Sequence, residues 1–187
     1  MTGVRFDSID EYNDIAMRNK YKEEVKKGRD PEQVFEELLL LSRDNSRTPI
    51  QWDDSEQAGF TTGTPWIKVN PNYREIHVAK AMEDPQSVFY FYKKLIALRK
   101  ENPVMIYGDY QDFSDGDDIL YVYTRTYQGQ RWLILLNHSD TSSAFTLSDQ
   151  LDDSAKQLIL SNYQDVTTSA SIKQVTLRPH EARIYQL

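Results

Sequence analysis

The chain has 187 residues, of which 39% are apolar and 12% aromatic, so it is long enough for one large domain or for one small domain with part of another. Its net charge of −7 argues against a nucleic-acid partner, because nucleic-acid binding normally requires a basic face. The absence of cysteine excludes disulfides and thiolate metal sites, and the absence of a long apolar run excludes a membrane span.

Two helices are predicted at the beginning of the chain. Residues 7–27 form a strongly charged segment of helical character that ends at Gly28. A second helix follows, with Asp30 as its N-cap, Pro31 at its first position and Gln33 completing a capping box. Its apolar face is expected to contain Val34, Leu38 and Leu41.

An irregular segment is predicted from Ser42 to about Met82. Glycine and proline interrupt it, and four aromatic residues stand between them: Trp52, Phe60, Trp66 and Tyr73. A loop of this length within a compact domain is unusual and is commonly functional. We expect its aromatic side chains to be packed, because four of them would be unusual in a disordered linker.

A further helix is predicted to begin at Asp84-Pro85 and to end at Asn102-Pro103. Six of its residues follow the helical period: Val88, Phe91, Tyr92, Leu95, Ile96 and Arg99. A recurrence of this kind is typical of an amphipathic helix.

The later part of the chain is rich in β-forming residues. Residues 119–127 alternate, and residues 131–137 follow after the turn-like Gln128-Gly129-Gln130, so the two segments are predicted to form a hairpin. Further short strands are predicted in AFTL, KQLILSN, IKQVTL and ARIYQL. We therefore expect a first domain over residues 1–104 and an antiparallel β-sandwich over residues 105–187.

The stretch SRDNSRTPIQWDD, residues 42–54, carries an unusual density of hydrogen-bonding groups. Arg43 and Arg47 offer forked donors, whereas Asn45 and Gln51 offer both donors and acceptors. Such groups can bind the vicinal hydroxyls of a sugar, but they can also form a loop that satisfies itself and ties two helices together. Composition alone favours the self-satisfied loop.

The adjacent carboxylates of Asp53 and Asp54 invite a general acid/base interpretation. A glycosidase needs two carboxyl groups that face each other across a bond, and neighbouring residues rarely converge in this way. We therefore interpret the pair as a turn or cap beside Ser55. Residues 114–118 are predicted to form a turn without calcium-loop spacing, and the three histidines lie far apart, so we expect no metal site and no cofactor.

Residues 43–76, RDNSRTPIQWDDSEQAGFTTGTPWIKVNPNYREI, closely resemble a segment of α-glucosidases in glycoside hydrolase family thirteen, the α-amylase superfamily. The oligo-1,6-glucosidase group is the nearest that can be named. MTGVRFDSIDEYNDI, SVFYFYKKLIALRKENP and LRPHEARIYQL resemble the same proteins. The likeness therefore runs over essentially the entire chain.

The resemblance implies an α+β fold: the last loop and helices of a (β/α)₈ barrel, followed by an antiparallel β-sandwich. It also implies a protein about three times longer, whose catalytic carboxylates lie on barrel loops upstream of this chain. No catalytic residue is therefore expected here, and we expect the chain to be inactive alone.

The resemblance assigns one substrate contact. Arg43 matches the arginine that grips the terminal glucose in the innermost subsite, where its forked donors would hold the ring for nucleophilic attack. Its neighbours Asp44, Asn45, Arg47, Gln51 and Trp52 are expected to support this loop. We interpret their role as structural.

The implied activity is that of a retaining α-glucosidase acting on short α-glucosides of the isomalto-oligosaccharide type. Ala16 departs from the family pattern, because members that prefer α-1,6 bonds usually have glutamate there. Trehalose-6-phosphate hydrolase, sucrose isomerase and an α-1,4-acting maltase therefore stay open as alternatives.

A non-catalytic carbohydrate-binding or structural β-sandwich module is the competing hypothesis. Tyr121, Tyr123 and Trp132 could form an aromatic row on one face, although alternating strand positions are more often core. The enzyme hypothesis implies a small oligosaccharide as partner, no membrane partner and a cytoplasmic location. Self-association would follow if a barrel-facing surface is exposed.

Overall fold

The structure is a computed structural model that describes residues 4–147, 151, 157–167 and 172–187. The chain divides into two compact units, residues 1–90 and residues 91–187, and each is described by itself. The expected domain boundary between residues 104 and 105 stays a prediction. Within the described ranges, no helix is both long and apolar enough to cross a membrane.

Helices come first along the chain and strands follow them, as the sequence predicts. The α-helices are α1 (Ile15–Lys26), α2 (Pro31–Leu39), α3 (Val78–Glu83), α4 (Val88–Glu101) and α5 (Pro103–Tyr107). Short 3₁₀ helices lie at Ile9–Glu11, Arg43–Ser46 and Pro71–Arg74, and residues Glu56–Gly59 form a turn in which Gln57, Ala58 and Gly59 have positive φ angles. The strands are β1 (Asp109–Asp112), β2 (Leu120–Tyr127), β3 (Gln130–Asn137), β4 (Ser143–Thr146), β5 (Gln157–Ser161), β6 (Gln174–Leu177) and β7 (Ala182–Gln186).

The first α-helix is shorter than expected. The sequence predicts a helix over residues 7–27, but α1 begins only at Ile15 and a separate 3₁₀ helix precedes it. The interruption arises at Asp14, whose Oδ1 accepts hydrogen bonds from the amides of Ala16 at 3.0 Å and Met17 at 3.2 Å. A side-chain cap of this kind marks the beginning of a helix, and it divides the charged segment in two.

The second helix begins at Pro31, as predicted. The capping box expected from Asp30 and Gln33 is wrong, because the Asp30 side chain makes no capping hydrogen bond in the described structure. Leu41 is 76% exposed rather than part of the apolar face, because α2 ends at Leu39 and the helical spacing does not continue to it. The core of this unit consists of Val4, Phe6, Tyr12, Met17, Val34, Leu38 and Ile67.

The segment from Ser42 to Met82 is irregular over most of its length, as predicted, but α3 begins within it. The first amides of α3 bind a distant part of the same segment. Val78 N donates to the carbonyl of Gln51, and Ala79 N donates to the carbonyl of Trp52, both at 2.9 Å. These two bonds satisfy amides that a helix leaves free at its first turn, and they close the segment on itself.

The expectation that the aromatic side chains of this segment are packed is wrong for three of the four. Trp52 is 48% exposed, Phe60 45% and Trp66 66%, whereas Tyr73 is partly buried. Main-chain hydrogen bonds, rather than packed rings, stabilise this region. For example, Trp52 N donates to the carbonyl of buried Ala58 at 2.8 Å.

Asp84 and Pro85 form a turn that precedes α4, and they are not its first residues. The Asp84 carboxylate accepts a hydrogen bond from the amide of Gln86 at 2.8 Å, so the chain turns before the helix begins at Val88. The predicted end of the helix before Pro103 is confirmed.

The strands of the second unit form two antiparallel sheets. One has the order β1-β2-β3-β7-β5, and the other pairs β4 with β6. The predicted hairpin is confirmed as β2 and β3, which join through Gln128 and Gly129 with φ angles of 47° and 79°. Two successive left-handed residues match the right-handed twist of a two-residue hairpin. The sequence did not indicate β1.

Both faces of the five-stranded sheet are covered. The core between the two sheets is formed by residues of both sheets and of the segments next to them: Leu120, Val122, Leu133, Leu135, Leu147, Leu151, Ile172, Val175, Leu177, Tyr185 and Leu187. On the opposite face, Trp132, Ile134, Leu160 and Ile184 form a second cluster with Val104 of α5, and partly buried residues of α4 pack against it. The predicted antiparallel sandwich is therefore confirmed, and a helical layer covers its outer side.

Helix α4 carries apolar residues on two sides. Phe91, Leu95 and Leu98 pack against the core under the sheet. Tyr92 and Ile96, which follow the same helical period, are 64% and 45% exposed. The periodic pattern is therefore correct for a helix, but it does not distinguish the side that packs on the sheet.

A buried carboxylate lies at the turn between β6 and β7. Glu181 is fully buried, and its oxygens accept hydrogen bonds from Arg178 N at 2.8 Å and from Arg183 Nε at 2.8 Å. Burial alone would raise the pKa of Glu181, but the donors of both arginines lower it to about 2. Arg178 also binds the exposed carboxylate of Asp165 at 2.9 Å.

Candidate functional site

The predicted substrate contact lies directly after α2. Arg43 is the first residue of the 3₁₀ helix Arg43–Ser46, which Ser42 caps by accepting from the amide of Asp44 at 3.3 Å. The Arg43 side chain is exposed, and its guanidinium makes no hydrogen bond or ion pair with any described residue. Its forked donors are therefore free to bind a ligand.

The next residue, Asp44, is a buried carboxylate that is only 1% exposed. Its Oδ2 accepts hydrogen bonds from the amides of Asn13 at 2.6 Å and Asp14 at 3.1 Å. Its Oδ1 is buried and has no hydrogen-bond partner in the described structure, although an Arg47 nitrogen lies 3.9 Å away. Asp44 thus attaches the 3₁₀ helix to the residues that precede α1.

Asp14 makes the reverse connection. It is 5% exposed, and its Oδ2 accepts from the amide of Arg43 at 2.8 Å while its Oδ1 caps α1. Burial raises the pKa of Asp14, but the amides of Arg43, Met17 and Ala16 and the charge of Arg43 lower it overall. Two buried carboxylates thus bind each other's neighbouring amides.

Sequence analysis did not select Asp14 as a site residue. An aspartate that directly precedes an apolar and helical run is an N-cap signature, and this signal could have found it. The charged composition of residues 7–27 instead predicts one continuous helix, in which no cap is expected at Asp14.

The other residues expected to support the loop lie in different surroundings. Asn45 donates from its Nδ2 to the carbonyl of Leu39 at 2.8 Å, at the end of α2. Buried Gln51 donates from its Nε2 to the carbonyl of Ile76 at 2.6 Å and to the Asn72 Oδ1 at 2.9 Å. These two amide side chains therefore bind backbone and polar groups of the same unit.

Arg47 and Trp52 are exposed. Their side chains are accessible at the surface, as that of Arg43 is. Arg47 lies near Asp44, but its nitrogen is 3.9 Å from the Asp44 Oδ1, at the limit of ion-pair distance. The structure therefore brings Arg43, Asp44, Asn45 and Arg47 into one turn and leaves Gln51 and Trp52 at the base of the following loop.

The carboxylates of Asp53 and Asp54 do not act together in this structure. Asp53 accepts hydrogen bonds from both the amide and the hydroxyl of Ser55, which lower its pKa, whereas Asp54 is exposed. Among the described residues, no group of three or more potential metal ligands is found. The arrangement of Asp53 is that of a turn.

The aromatic row expected on the sandwich does not form as one exposed surface. Tyr121 is 38% exposed, but Trp132 is 3% exposed and belongs to the core under α4. Tyr110 of β1 lies beside Tyr121 and Tyr123. Its hydroxyl lies 3.0 Å from that of Tyr121, and its ring is tilted by 39° to that of Tyr123. The rings therefore do not form a flat platform.

Comparison with known protein families gives two matches that follow each other along the chain. The profile of the α-amylase catalytic domain matches residues 6–108, which is more than half of the chain. The profile of the maltogenic amylase C-terminal domain matches residues 113–184.

Individual relatives match the chain from end to end. The oligo-1,6-glucosidase of Parageobacillus thermoglucosidasius is 50% identical over 100% of this chain and 33% of its own length. The crystal structure of trehalose-6-phosphate hydrolase from Bacillus licheniformis superposes with a TM-score of 0.88 at 40% identity, over 100% of this chain and 34% of its own.

The trehalulose synthase of Pseudomonas mesoacidophila MX-45 superposes with a TM-score of 0.91 at 36% identity, over 100% of this chain and 33% of its own. The chain thus spans about a third of the length of the curated relatives it matches. The resemblance seen in the sequence is confirmed, and so is the predicted order of a catalytic-domain end and a β-domain. The chain belongs to the α-amylase family of glycoside hydrolases.

Proposed function

We propose that this chain forms part of a retaining α-glucosidase that hydrolyses short α-glucosides of the isomalto-oligosaccharide type. The family membership and the 50% identity to an oligo-1,6-glucosidase support the reaction class. The single observation that carries the proposal is the free guanidinium of Arg43 on a backbone that two buried carboxylates hold.

In this proposal Arg43 positions the sugar. Its planar fork donates to neighbouring hydroxyls of the terminal glucose and holds the ring for attack by a nucleophile. The catalytic carboxylates belong to the part of the enzyme that corresponds to the other two thirds of the relatives, so the chain alone has no turnover. The absence of cysteine fits a reducing compartment, and we propose a cytoplasmic location.

The linkage preference is open among several related activities. Ala16 is exposed near the start of α1 and offers no charged acceptor to a second sugar unit. Among relatives of the same fold, one is named a trehalose-6-phosphate hydrolase and another a trehalulose synthase. Trehalose-6-phosphate hydrolysis, sucrose isomerisation and α-1,4-specific hydrolysis are therefore the alternatives to test.

A chimeric enzyme tests the proposal. The matching third of the Parageobacillus thermoglucosidasius oligo-1,6-glucosidase is replaced by this chain, and hydrolysis of an aryl α-glucoside is measured. We expect turnover from the chimera and none from the chain alone. Isomaltose, maltose, sucrose and trehalose 6-phosphate are then compared as substrates to assign the preference.

Substitution of Arg43 by alanine in the chimera tests its assignment. We expect turnover to fall by about 100-fold or more, because a misplaced reacting group can lower a rate by that factor. Arg74→Ala is the matched control: Arg74 is also exposed and lies in another short 3₁₀ helix of the same segment. Near-normal activity of Arg43→Ala would refute the assignment.

The competing module hypothesis makes the opposite prediction. A carbohydrate-binding module would bind isomaltose or a glucan through the 187-residue chain alone, and Tyr121→Ala would abolish the binding. Isothermal titration calorimetry with the chain and this variant distinguishes the two. The enzyme proposal expects no measurable glucan binding by the chain that depends on Tyr121.

A further inference from the structure

We infer that Asp14 is a positioning residue for Arg43: its carboxylate fixes the backbone from which Arg43 reaches the sugar, and this inference rests on the proposed function. Asp14 lies 29 residues before Arg43 in the chain, and their connection is a single hydrogen bond of 2.8 Å from the Arg43 amide to Oδ2. A carboxylate that accepts from a backbone amide makes a charge-assisted bond, which is stronger than a neutral one.

The connection is rigid because the Asp14 carboxylate is itself fixed. Its other oxygen accepts from Ala16 N and Met17 N, so both oxygens are occupied by backbone amides. The buried position removes competition from water, which makes these bonds stronger than they would be at the surface. The orientation of α1 therefore determines where the Arg43 backbone lies.

Asp44 makes the attachment reciprocal. Its Oδ2 accepts from the amides of Asn13 and Asp14, while the Asp14 carboxylate accepts from the amide of Arg43, the residue directly before Asp44. Rotation of the 3₁₀ helix about either single contact is therefore prevented by the other. The Arg43 side chain itself makes no hydrogen bond or ion pair with a described residue, which suits a group that must meet a ligand.

Two substitutions separate positioning from helix capping. Asparagine at position 14 keeps one acceptor oxygen for Ala16 and Met17 but presents an NH₂ group to the Arg43 amide, so that two donors meet. Serine is also a good N-cap, but its single oxygen does not reach both sets of amides. Asp14→Asn and Asp14→Ser should therefore retain α1 and lose the connection to Arg43.

In the chimeric enzyme we expect either variant to lower kcat/KM by about tenfold or more, because small displacements of a positioning group lower rates strongly. Asp30→Asn is the matched control, because Asp30 is the N-cap of α2 and makes no capping hydrogen bond. Circular dichroism and thermal unfolding check that the variants are folded.

The decisive measurement is a double-mutant cycle with Arg43→Ala. If Asp14 acts through Arg43, Asp14→Asn has no further effect on kcat/KM in the Arg43→Ala background. A full effect in that background would overturn the inference, because it would show a general structural role. Unchanged activity of both Asp14 variants in the wild-type background, with Arg43→Ala still lowered by about 100-fold, would also overturn it and leave the proposed function standing.

An Arg43→Ala variant with normal activity would overturn the proposed contact and the inference together.

Amide NMR of the 187-residue chain gives a second readout that does not depend on activity. We expect the Arg43 amide proton to exchange with solvent at least tenfold faster in Asp14→Asn, whereas Asp30→Asn leaves it unchanged. Unchanged exchange in Asp14→Asn would contradict the hydrogen bond on which the inference depends.

Discussion

The buried Glu181 allows the stability of the β-rich unit to be tested quantitatively by Glu181→Gln. A pKa lowered from 4.5 to about 2 corresponds to about 3 kcal/mol of unfolding free energy at neutral pH, since each pKa unit equals about 1.4 kcal/mol. The substitution keeps the shape of the side chain but removes its charge from between Arg178 and Arg183. We therefore expect it to destabilise the unit by about 3 kcal/mol at pH 7.

The sign of the pH dependence follows from the lowered pKa. Glu181 contributes its full stabilisation above the pKa of the unfolded chain, and this contribution is lost as the pH falls through about 4.5 toward about 2. The difference in unfolding free energy between the parent chain and Glu181→Gln should therefore be constant above about pH 5 and shrink below it.

Urea unfolding measured by tryptophan fluorescence is the appropriate assay. Trp52 and Trp66 are replaced by phenylalanine, so that the buried Trp132 reports on this unit alone. Asp165→Asn is the control, because Asp165 pairs with the same arginine but is 73% exposed, and a screened surface pair contributes little. Equal urea midpoints for the parent and Glu181→Gln at pH 7, or a difference that does not change down to pH 3, would refute the reasoning.

Two further substitutions test the packing of the same unit. Leu133 is fully buried between the two sheets, so Leu133→Ala should lower the unfolding free energy by about 2–5 kcal/mol in the same urea assay, and a change below that range would contradict its core position. Gly108 lies against the carbonyl of Val104, and an added Cβ would also come within 3.1 Å of Thr126 N. We expect Gly108→Ala to destabilise by about 1–3 kcal/mol, measured by thermal unfolding, whereas Gly116→Ala, with open space around it, should be affected only by its backbone conformation.

The features that could be predicted from the sequence depend on local interactions. The β2–β3 hairpin follows from alternating side chains around Gln128-Gly129, because the turn type and the pleat are set within a few residues. The start of α2 at Pro31 is local for the same reason. Prediction failed where distant residues contribute: the Asp14 side chain that caps α1 also accepts from the amide of Arg43, and its own amide donates to Asp44.

The candidate site shows the same division. Arg43 could be proposed as a substrate contact because it lies in a recognisable motif, and the stretch around it is dense in polar groups; its role stays a prediction. The N-cap role of Asp14 could be predicted from its own surroundings, but its bond to the amide of Arg43 could not, since Arg43 lies 29 positions later. The apolar pattern of α4 was correct as a pattern, but Leu95 and Ile96 differ in burial because only one side of the helix meets the sheet.

The position of β7 in the five-stranded sheet has a consequence for synthesis of the chain. Residues 182–186 pair with β3 on one side and with β5 on the other, although they are translated after both. Until they have left the ribosome, β3 and β5 each present an unpaired edge that can bind another nascent chain. A pause in translation before residue 182 would therefore prolong the period in which this unit is most prone to aggregate.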